Sequence, residues 1–475
     1  WFEKPVLYYW TAGIAMRLFG VSEFAARLPS ALAGLLAVVA VTWTALRSYG
    51  IGAAWFALLM LPTSVAMIAF SRAASPDMLF TGMLTATMAV AVEMLQKPRP
   101  GPVLRIAFGF FLGAAVLAKG PAAVILAGGA TLLWAALSRQ WLAPFRFLHP
   151  LIIAVFCATA LPWYVLCAMR NPDFLRVFIW QHNFQRYLTP IFEHRQPFWF
   201  FGVVFVAAIV PYLPLLISTV SGGIESIKSV EVKNSPAIFI GCWALFTLLF
   251  FSASQSKLPG YILPAIPPAV LLLCVGAAKC VQKKSTSLLP ILVSVGLLFP
   301  VGVGIALAEW NRAPNIGTLL HAEIARGLQI ALVAAIVFGG LIIGYSFRRK
   351  TGEAIFVAAF ATTFLVLLAN RLILPGTDSI VSTRPAAIWA IQMHSLRPEE
   401  VAIYRLPRDY AYGLDYYFGT TLAEWTPQDV YAKVLFCSRE ALDSPLLSGI
   451  SNQDKIPATG DGKIFFVILR RPAGQ

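Results

Sequence analysis

Apolar stretches of about 18–20 residues, each long enough to cross roughly 30 Å of hydrocarbon, recur through most of this chain. They constrain the fold because a backbone inside a bilayer must satisfy its own N–H and C=O groups, so it spans as helix or closed barrel. Continuous apolar runs of this length read as helix. The candidate spans are 28–46, 51–70, 77–95, 103–118, 121–137, 148–168, 198–219, 237–252, 262–279, 288–308, 327–347 and 354–374. The expectation is an α-helical polytopic membrane protein with twelve visible spans, and a mean hydropathy of +0.73 agrees. The short pair 103–118 and 121–137, split by Lys119-Gly120-Pro121, is a candidate for partial re-entry. Residues 1–27 carry Glu3, Lys4, Arg17, Glu23 and Arg27 among apolar neighbours and read as interfacial helix along the bilayer surface.

The net charge of +15 has to be divided by membrane side before it says anything about partners. Twelve spans put both termini on one side, and the alternate loops then form two sets. One set holds Arg47; Lys97, Arg99 and Arg105; Arg139 and Arg146; Lys228 and Lys233; Lys279, Lys283 and Lys284; Arg348, Arg349 and Lys350. Every loop in it is basic, which makes it cytoplasmic by the positive-inside tendency. That topological role accounts for much of the charge, and no nucleic-acid partner is expected. The other set faces outward, into the periplasm of a Gram-negative cell.

The outward set carries cations that topology disfavours there: Lys4, Arg72, Lys119, Arg186, Arg195 and Lys257. One reading pairs them with Glu3, Asp77 and Glu193, and an exposed ion pair is worth little. The other is a cationic pocket for a phosphate at the membrane surface, because Arg forks and Lys point charges bind phosphate oxygens well. Convergence of several basic loops on one side favours the pocket. Of the five histidines, only His182 and His194 share an outward loop with charge clusters, and each also reads as an ordinary hydrogen-bonding loop residue.

After Pro375 the composition turns polar and mixed. Strand-like runs at Val401–Tyr404, Lys433–Cys437 and Ile464–Leu469, with helical stretches near 383–396 and 427–433, predict a small outward-facing α/β domain over 375–475. Its Tyr404, Tyr410, Tyr412, Tyr416 and Tyr417 read as packing or as a carbohydrate surface. Cysteine has no CxxC or metal-ligand spacing, so neither a disulfide framework nor a cysteine zinc site is expected. Walker A, GxGxxG, GxSxG and HExxH patterns are missing, which removes the common soluble chemistries.

Read together, the outward motifs resemble one family. They are Trp1-Phe2-Glu3-Lys4-Pro5 with Tyr8-Tyr9-Trp10, Ser71-Arg72 with Pro76-Asp77, Ala118-Lys119-Gly120-Pro121, and Leu161-Pro162-Trp163-Tyr164. Then come Gln181-His182-Asn183-Phe184-Gln185-Arg186-Tyr187, His194-Arg195-Gln196-Pro197-Phe198-Trp199 and Ser256-Lys257-Leu258-Pro259-Gly260-Tyr261-Ile262-Leu263-Pro264. The set is similar to the GT-C membrane glycosyltransferases of the aminoarabinose transferase (ArnT) and protein O-mannosyltransferase group, with more of the ArnT side. Specific motifs carry the likeness over residues 1 to about 270, and span count with a C-terminal extramembrane domain carries the rest.

The resemblance implies a GT-C transmembrane catalytic domain over 1–374. It further implies inverting transfer of a sugar from a polyprenyl (undecaprenyl) phosphate donor to lipid A or a related lipopolysaccharide-envelope acceptor, at the periplasmic face of the inner membrane. It implies catalytic roles for Glu3, Lys4 and Asp77, with Asp77 orienting Arg72 or Lys119. Donor-phosphate or substrate binding would fall to Lys4, Arg72, Lys119, Arg186, Arg195, Lys257 and Tyr261. A divalent metal on Glu3 with His194 (or His182) is a further implication, with no other cofactor. Thirteen helices and a loop acid after the first are usual in that group, so an upstream helix and acid are expected ahead of Trp1. Where ArnT proteins carry an acidic run, this chain has Tyr187-Leu188-Thr189-Pro190-Ile191-Phe192-Glu193, which leaves sugar and acceptor open. Two alternatives remain: transfer to a protein hydroxyl as in O-mannosyltransferases, and a lipid-phosphate transporter or flippase without chemistry. The flippase would call for mid-membrane charges and inverted repeats.

Overall fold

The computed structural model describes residues 4–189, 196–216, 235–282, 288–312, 318–429, 431–447 and 450–469. Two compact units divide the chain: Trp1–Phe299 with Val337–Thr362, and Pro300–Ile336 with Thr363–Gln475.

In the first unit, α1 (Leu7–Phe19) precedes α2 (Glu23–Tyr49), α3 (Ile51–Met60), α4 (Val65–Ser71), α5 (Pro76–Gln96), α6 (Pro102–Lys119), α7 (Ala122–Ser138) and α8 (Pro150–Arg170). Helix α1 is the expected amphipathic segment, its Tyr8 hydroxyl donating to the Ala26 carbonyl at 2.9 Å. The span expected from residue 28 begins earlier, at Glu23, because Ser22 caps it: the Ala25 N–H donates to Ser22 Oγ at 3.3 Å.

Among the described residues, eight helices are long and apolar enough to cross a membrane, or nine if α3 with α4, bent by 58° at their junction, is counted as one span. Pro62 causes the break in the expected 51–70 helix, since it supplies no N–H and cannot continue the ladder. Side chains recover the freed carbonyls: Thr63 Oγ1 donates to Leu59 O at 2.5 Å, and Ser64 Oγ donates to Leu61 O at 2.8 Å. The buried Tyr212 hydroxyl meets Thr63 Oγ1 at 2.7 Å. Helices α7 and Pro236–Ser252 are apolar but only 17 residues each. The expected 198–219 span shows Phe200–Ala208 as helix, and its end from 217 lies outside the described residues.

Small residues let these helices approach closely, as membrane packing favours. A Cβ on Gly82 of α5 would sit 2.5 Å from the Ala33 carbonyl of α2. Added to Gly109 and Gly113 of α6, it would sit 2.6 Å from the Ile152 carbonyl and 2.7 Å from Thr159 Cβ of α8.

In the second unit, strands β1 (Val401–Tyr404), β2 (Ala423–Glu424), β3 (Val434–Ser438), β4 (Lys455–Pro457) and β5 (Ile464–Ile468) form one sheet in the order β2-β1-β3-β5-β4. Strand β1 runs parallel to β2 and β3, while β5 is antiparallel to β3 and β4. Side chains alternate between two cores. Val401, Val434, Phe436 and Phe466 pack with Ala386, Ala387 and Leu414, whereas Ala402, Leu435, Cys437 and Val467 pack with Ala441 and Leu447. Burial on both faces explains why these strands read as continuous apolar runs. The stretch near 427–433, expected as helix, opens with a turn in which the Thr426 N–H donates to Asp429 Oδ2 at 2.7 Å. The real helix is Arg408–Phe418, which holds Tyr410, Tyr412, Tyr416 and Tyr417. Tyr410 and Tyr417 pack on the core, Tyr404 is buried, and Tyr412 is exposed.

Candidate functional site

The site is built on two helix ends in the first unit. Helix α5 starts Ser75-Pro76-Asp77, with proline in the first turn, where no N–H is needed. The Ser75 hydroxyl donates to Asp77 Oδ2 at 3.4 Å, and the Ser75 carbonyl accepts from Ser30 Oγ of α2 at 3.1 Å. Helix α6 ends on Lys119, whose Nζ meets Asp77 Oδ1 at 2.5 Å. The side chains keep 11% and 24% of their surface exposed, so this pair is mostly out of water. Gly120, at φ 89°, turns the chain after Lys119 through backbone that side chains resist, and a Cβ there would also touch Phe178 Cζ at 3.0 Å.

Tyr261 gathers the cations. Lys119 Nζ lies 4.9 Å from its ring centroid and Arg186 Cζ 5.9 Å, while Lys119 also lies 5.5 Å from Phe80. The residue before it has a separate duty: a Cβ on Gly260 would stand 2.9 Å from Phe70 Cε1 and 3.0 Å from Asp77 Oδ2. Gly260→Ala is therefore expected to displace the Asp77 carboxylate by a few tenths of an ångström and to slow turnover roughly tenfold. Steady-state rates beside a melting curve check this; an unchanged rate would show that the Asp77 position is not critical.

A cavity of about 300 Å³ opens beside these groups, lined by Lys4, Lys119, His182, Asn183, Arg186 and Tyr261 on its polar side. Phe178, Phe184, Tyr187, Leu188, Phe250, Phe251 and Ile125 supply the apolar side. The 182–188 wall comes from a π-helix, Arg176–Gln185, and the residues that follow. Asn183 Nδ2 donates to the Phe178 carbonyl at 2.7 Å within that wall. Tyr187 ties it to the opposite side: its hydroxyl donates to Phe250 O at 2.7 Å, and its carbonyl accepts from Gln255 N at 2.9 Å. Burial pushes the Tyr187 phenol above its ordinary range, so it stays a neutral donor.

The loops expected to face outward thus converge on one cavity through Lys4, Lys119, His182, Arg186 and Tyr261, with Asp77 attached through Lys119. Lys257 and Arg72 do not line it. Buried Lys257 turns its Nζ to the Ser254 carbonyl at 2.5 Å, where it shapes the loop that brings Ser254 to the wall. Arg72 is exposed at the end of α4. Glu3, His194, Arg195 and Glu193 lie outside the described residues. Asn183, Tyr187, Ser254 and the Phe250–Phe251 pair were missed as individual residues. The first two sit inside the quoted Gln181–Tyr187 motif, while the phenylalanines look like ordinary span residues.

Chemically, the described cavity offers three cations against one carboxylate, and that carboxylate is engaged by Lys119. Aromatic and aliphatic lining beside a group of cations suits an anion whose other end is apolar. No three His, Cys, Asp or Glu side chains come together among the described residues. Of the two histidines considered as ligands, His182 lines the cavity and His194 lies outside the described residues.

Comparison with known proteins follows the same line. The family model for dolichyl-phosphate-mannose-protein mannosyltransferase matches residues 1–178. An undecaprenyl phosphate-alpha-4-amino-4-deoxy-L-arabinose arabinosyl transferase of Edwardsiella ictaluri is 27% identical over 94% of this chain and 86% of its own length. The protein of the same name from Yersinia enterocolitica is 24% identical over 96% of this chain and 85% of its own. The crystal structure of ArnT from Cupriavidus metallidurans bound to undecaprenyl phosphate superposes with a TM-score of 0.80 at 23% identity, covering 98% of this chain and 88% of that one. Its apo form gives 0.78. The overall fold is that of these structures.

Proposed function

We propose that this chain, ArnT-like in sequence and fold, is a multi-pass membrane glycosyltransferase that takes a sugar from undecaprenyl phosphate and transfers it to lipid A. The observation that carries the reading is the convergence of Lys4, Lys119 and Arg186, from three separate segments, on one cavity with a largely aromatic and aliphatic second side, Lys119 and Arg186 lying over Tyr261. A polyprenyl phosphate has the matching form, an anionic head on an isoprene tail whose burial needs only apolar surface. The names of the curated relatives support a 4-amino-4-deoxy-arabinosyl group as the sugar.

The reaction we infer is an inverting displacement at the anomeric carbon. The acceptor oxygen forms the new glycosidic bond as the bond to the donor phosphate breaks, and the electron pair leaves with undecaprenyl phosphate. Lys4, Lys119 and Arg186 stabilise the charge growing on that leaving group. Asp77 holds the Lys119 ammonium in place. A lipid A phosphate acceptor is already ionised at neutral pH and needs positioning more than a base. A divalent ion would draw on Glu3 with His194 or His182, of which His182 lines the cavity, and would supply further positive charge.

The deciding experiment supplies purified full-length protein with radiolabelled undecaprenyl-phosphate sugar and either lipid A or a serine-rich peptide. Label on lipid A supports the reading, and label on the peptide alone replaces it with O-glycosyl transfer to protein. Tight donor binding without transfer to any acceptor leaves a lipid-phosphate binder or flippase instead.

Orientation has its own test. A single cysteine introduced near residue 190 is expected to react with an impermeant maleimide added to intact spheroplasts. Labelling only after lysis would place the cavity on the cytoplasmic side of the inner membrane.

A further inference from the structure

Three of the basic loops assigned to the side away from the cavity meet at one point. Helix α5 carries Asp77 at one end, and Glu93 lies roughly 24 Å farther along its axis at 1.5 Å per residue, close to the span of the hydrocarbon core. The Glu93 side chain is only 7% exposed, and its Oε1 accepts from Arg47 Nη2 at 3.1 Å and from Lys97 Nζ at 3.0 Å. Arg146 Nη1 donates to the Lys97 carbonyl at 3.3 Å. One carboxylate therefore pairs with two cations while a third, Arg146, is tied to the Lys97 backbone beside them, which leaves a surplus of positive charge. Arg47 and Lys97 keep 53% and 44% of their side-chain surface open, and Arg146 is exposed.

Beside the cations runs a short 3₁₀ segment, Ala143–Leu148, fixed to the bundle by buried Ala143 and by Phe147, whose ring stacks on Phe108 at 4.9 Å. Its other side, with the residues just before it, exposes Trp141, Leu142, Phe145 and Leu148. Apolar and aromatic side chains displayed next to cations at the end of a span match the boundary between acyl chains and headgroups. Topology alone asks only that each loop be basic. It does not ask that residues from three loops converge beside a ledge of exposed aromatics.

We propose that this corner holds one anionic phospholipid, its phosphodiester on Arg47, Lys97 and Arg146 and its acyl chains along Trp141, Leu142, Phe145 and Leu148. The lipid bridges α2, α5 and the segment after α7, in the leaflet opposite the cavity. The proposal stands independently of the sugar-transfer reading.

Native mass spectrometry of the full chain in detergent, titrated with dioleoyl phosphatidylglycerol or the matching phosphatidylcholine, tests it. The wild type is expected to retain one phosphatidylglycerol in preference to phosphatidylcholine. Arg146→Gln gives up a hydrogen bond to a carbonyl and strands no buried charge. It is expected to weaken that binding about fivefold, and Arg47→Gln with Arg146→Gln about 25-fold. Lys350→Gln, at an exposed pair with Glu353 elsewhere on the unit, is expected to leave it unchanged. Equal losses in Arg146→Gln and Lys350→Gln, or equal retention of the two lipids, would overturn the site. So would full competition by soluble glycerol phosphate, which would make it a free-phosphate site.

Discussion

Asp77→Asn is expected to lower turnover by about two to three orders of magnitude, as when a charge-stabilising donor is removed from a reacting centre. The loss arises through Lys119. Its ammonium is 11% exposed, anchored on Asp77 Oδ1, and lies over the Tyr261 ring. Without the carboxylate the ammonium loses its anchor and swings to another acceptor, which weakens the hold on a leaving phosphate. Breaking such a largely buried pair also costs stability, on the order of 3 kcal/mol, so the melting point must be read alongside. A double-mutant cycle separates positioning from direct chemistry. If Asp77 acts only by holding Lys119, Asp77→Asn combined with Lys119→Ala is no slower than Lys119→Ala alone. Multiplying losses would instead give the Asp77 carboxylate its own step, such as taking a proton from a hydroxyl acceptor.

Arg186→Ala is expected to cost a similar hundredfold or more in kcat, and Arg186→Lys to recover only a minor part of it. Lysine restores the charge, yet it lacks the planar fork that can hold two phosphate oxygens at once and lie against the Tyr261 ring. The measurement is kcat and KM for the labelled donor. A fully active Arg186→Lys would show that charge alone suffices. A rise in KM at unchanged kcat would show that Arg186 serves ground-state binding.

Much of the membrane architecture was legible because apolar run length and helix span are tied by bilayer thickness. Sorting loop charges by side brought Lys4, Asp77, Lys119 and Arg186 into one group before any contact was known, the family resemblance added Tyr261, and the structure brings them together at the cavity. Side assignment constrains two of the three dimensions poorly, however. It could not tell that Lys257 folds back on its own loop or that Arg72 stays exposed at the end of α4, since both belong to the same loop set as Lys4 and Lys119. Nor could it find Phe250 and Tyr187, whose ring stack at 4.7 Å is one more apolar contact as far as the sequence goes. The break at Pro62 and the early start at Ser22 are local effects, hydrogen-bond supply and capping, that hydropathy averaging smooths away. In the sheet, strands buried on both faces announced themselves, while the tyrosine-rich helix Arg408–Phe418 did not, because tyrosines favour strands as readily and mask the helical spacing of Tyr410, Leu414, Tyr417 and Phe418.

The Asp77–Lys119 contact also has a direction. Asp77 sits in the first turn of α5, where unpaired N–H groups make the helix end positive, and Lys119 in the last turn of α6, where carbonyls make it negative. Each charge is matched to the helix that carries it as well as to its partner. An exchanged pair, lysine at 77 and aspartate at 119, would keep the attraction across the hairpin while setting both charges against their own helix ends, each mismatch worth about 0.3–1 kcal/mol and more where water is scarce. The two helices are therefore not interchangeable carriers of an ion pair: the acid is written into one and the base into the other by the polarity of the backbone itself.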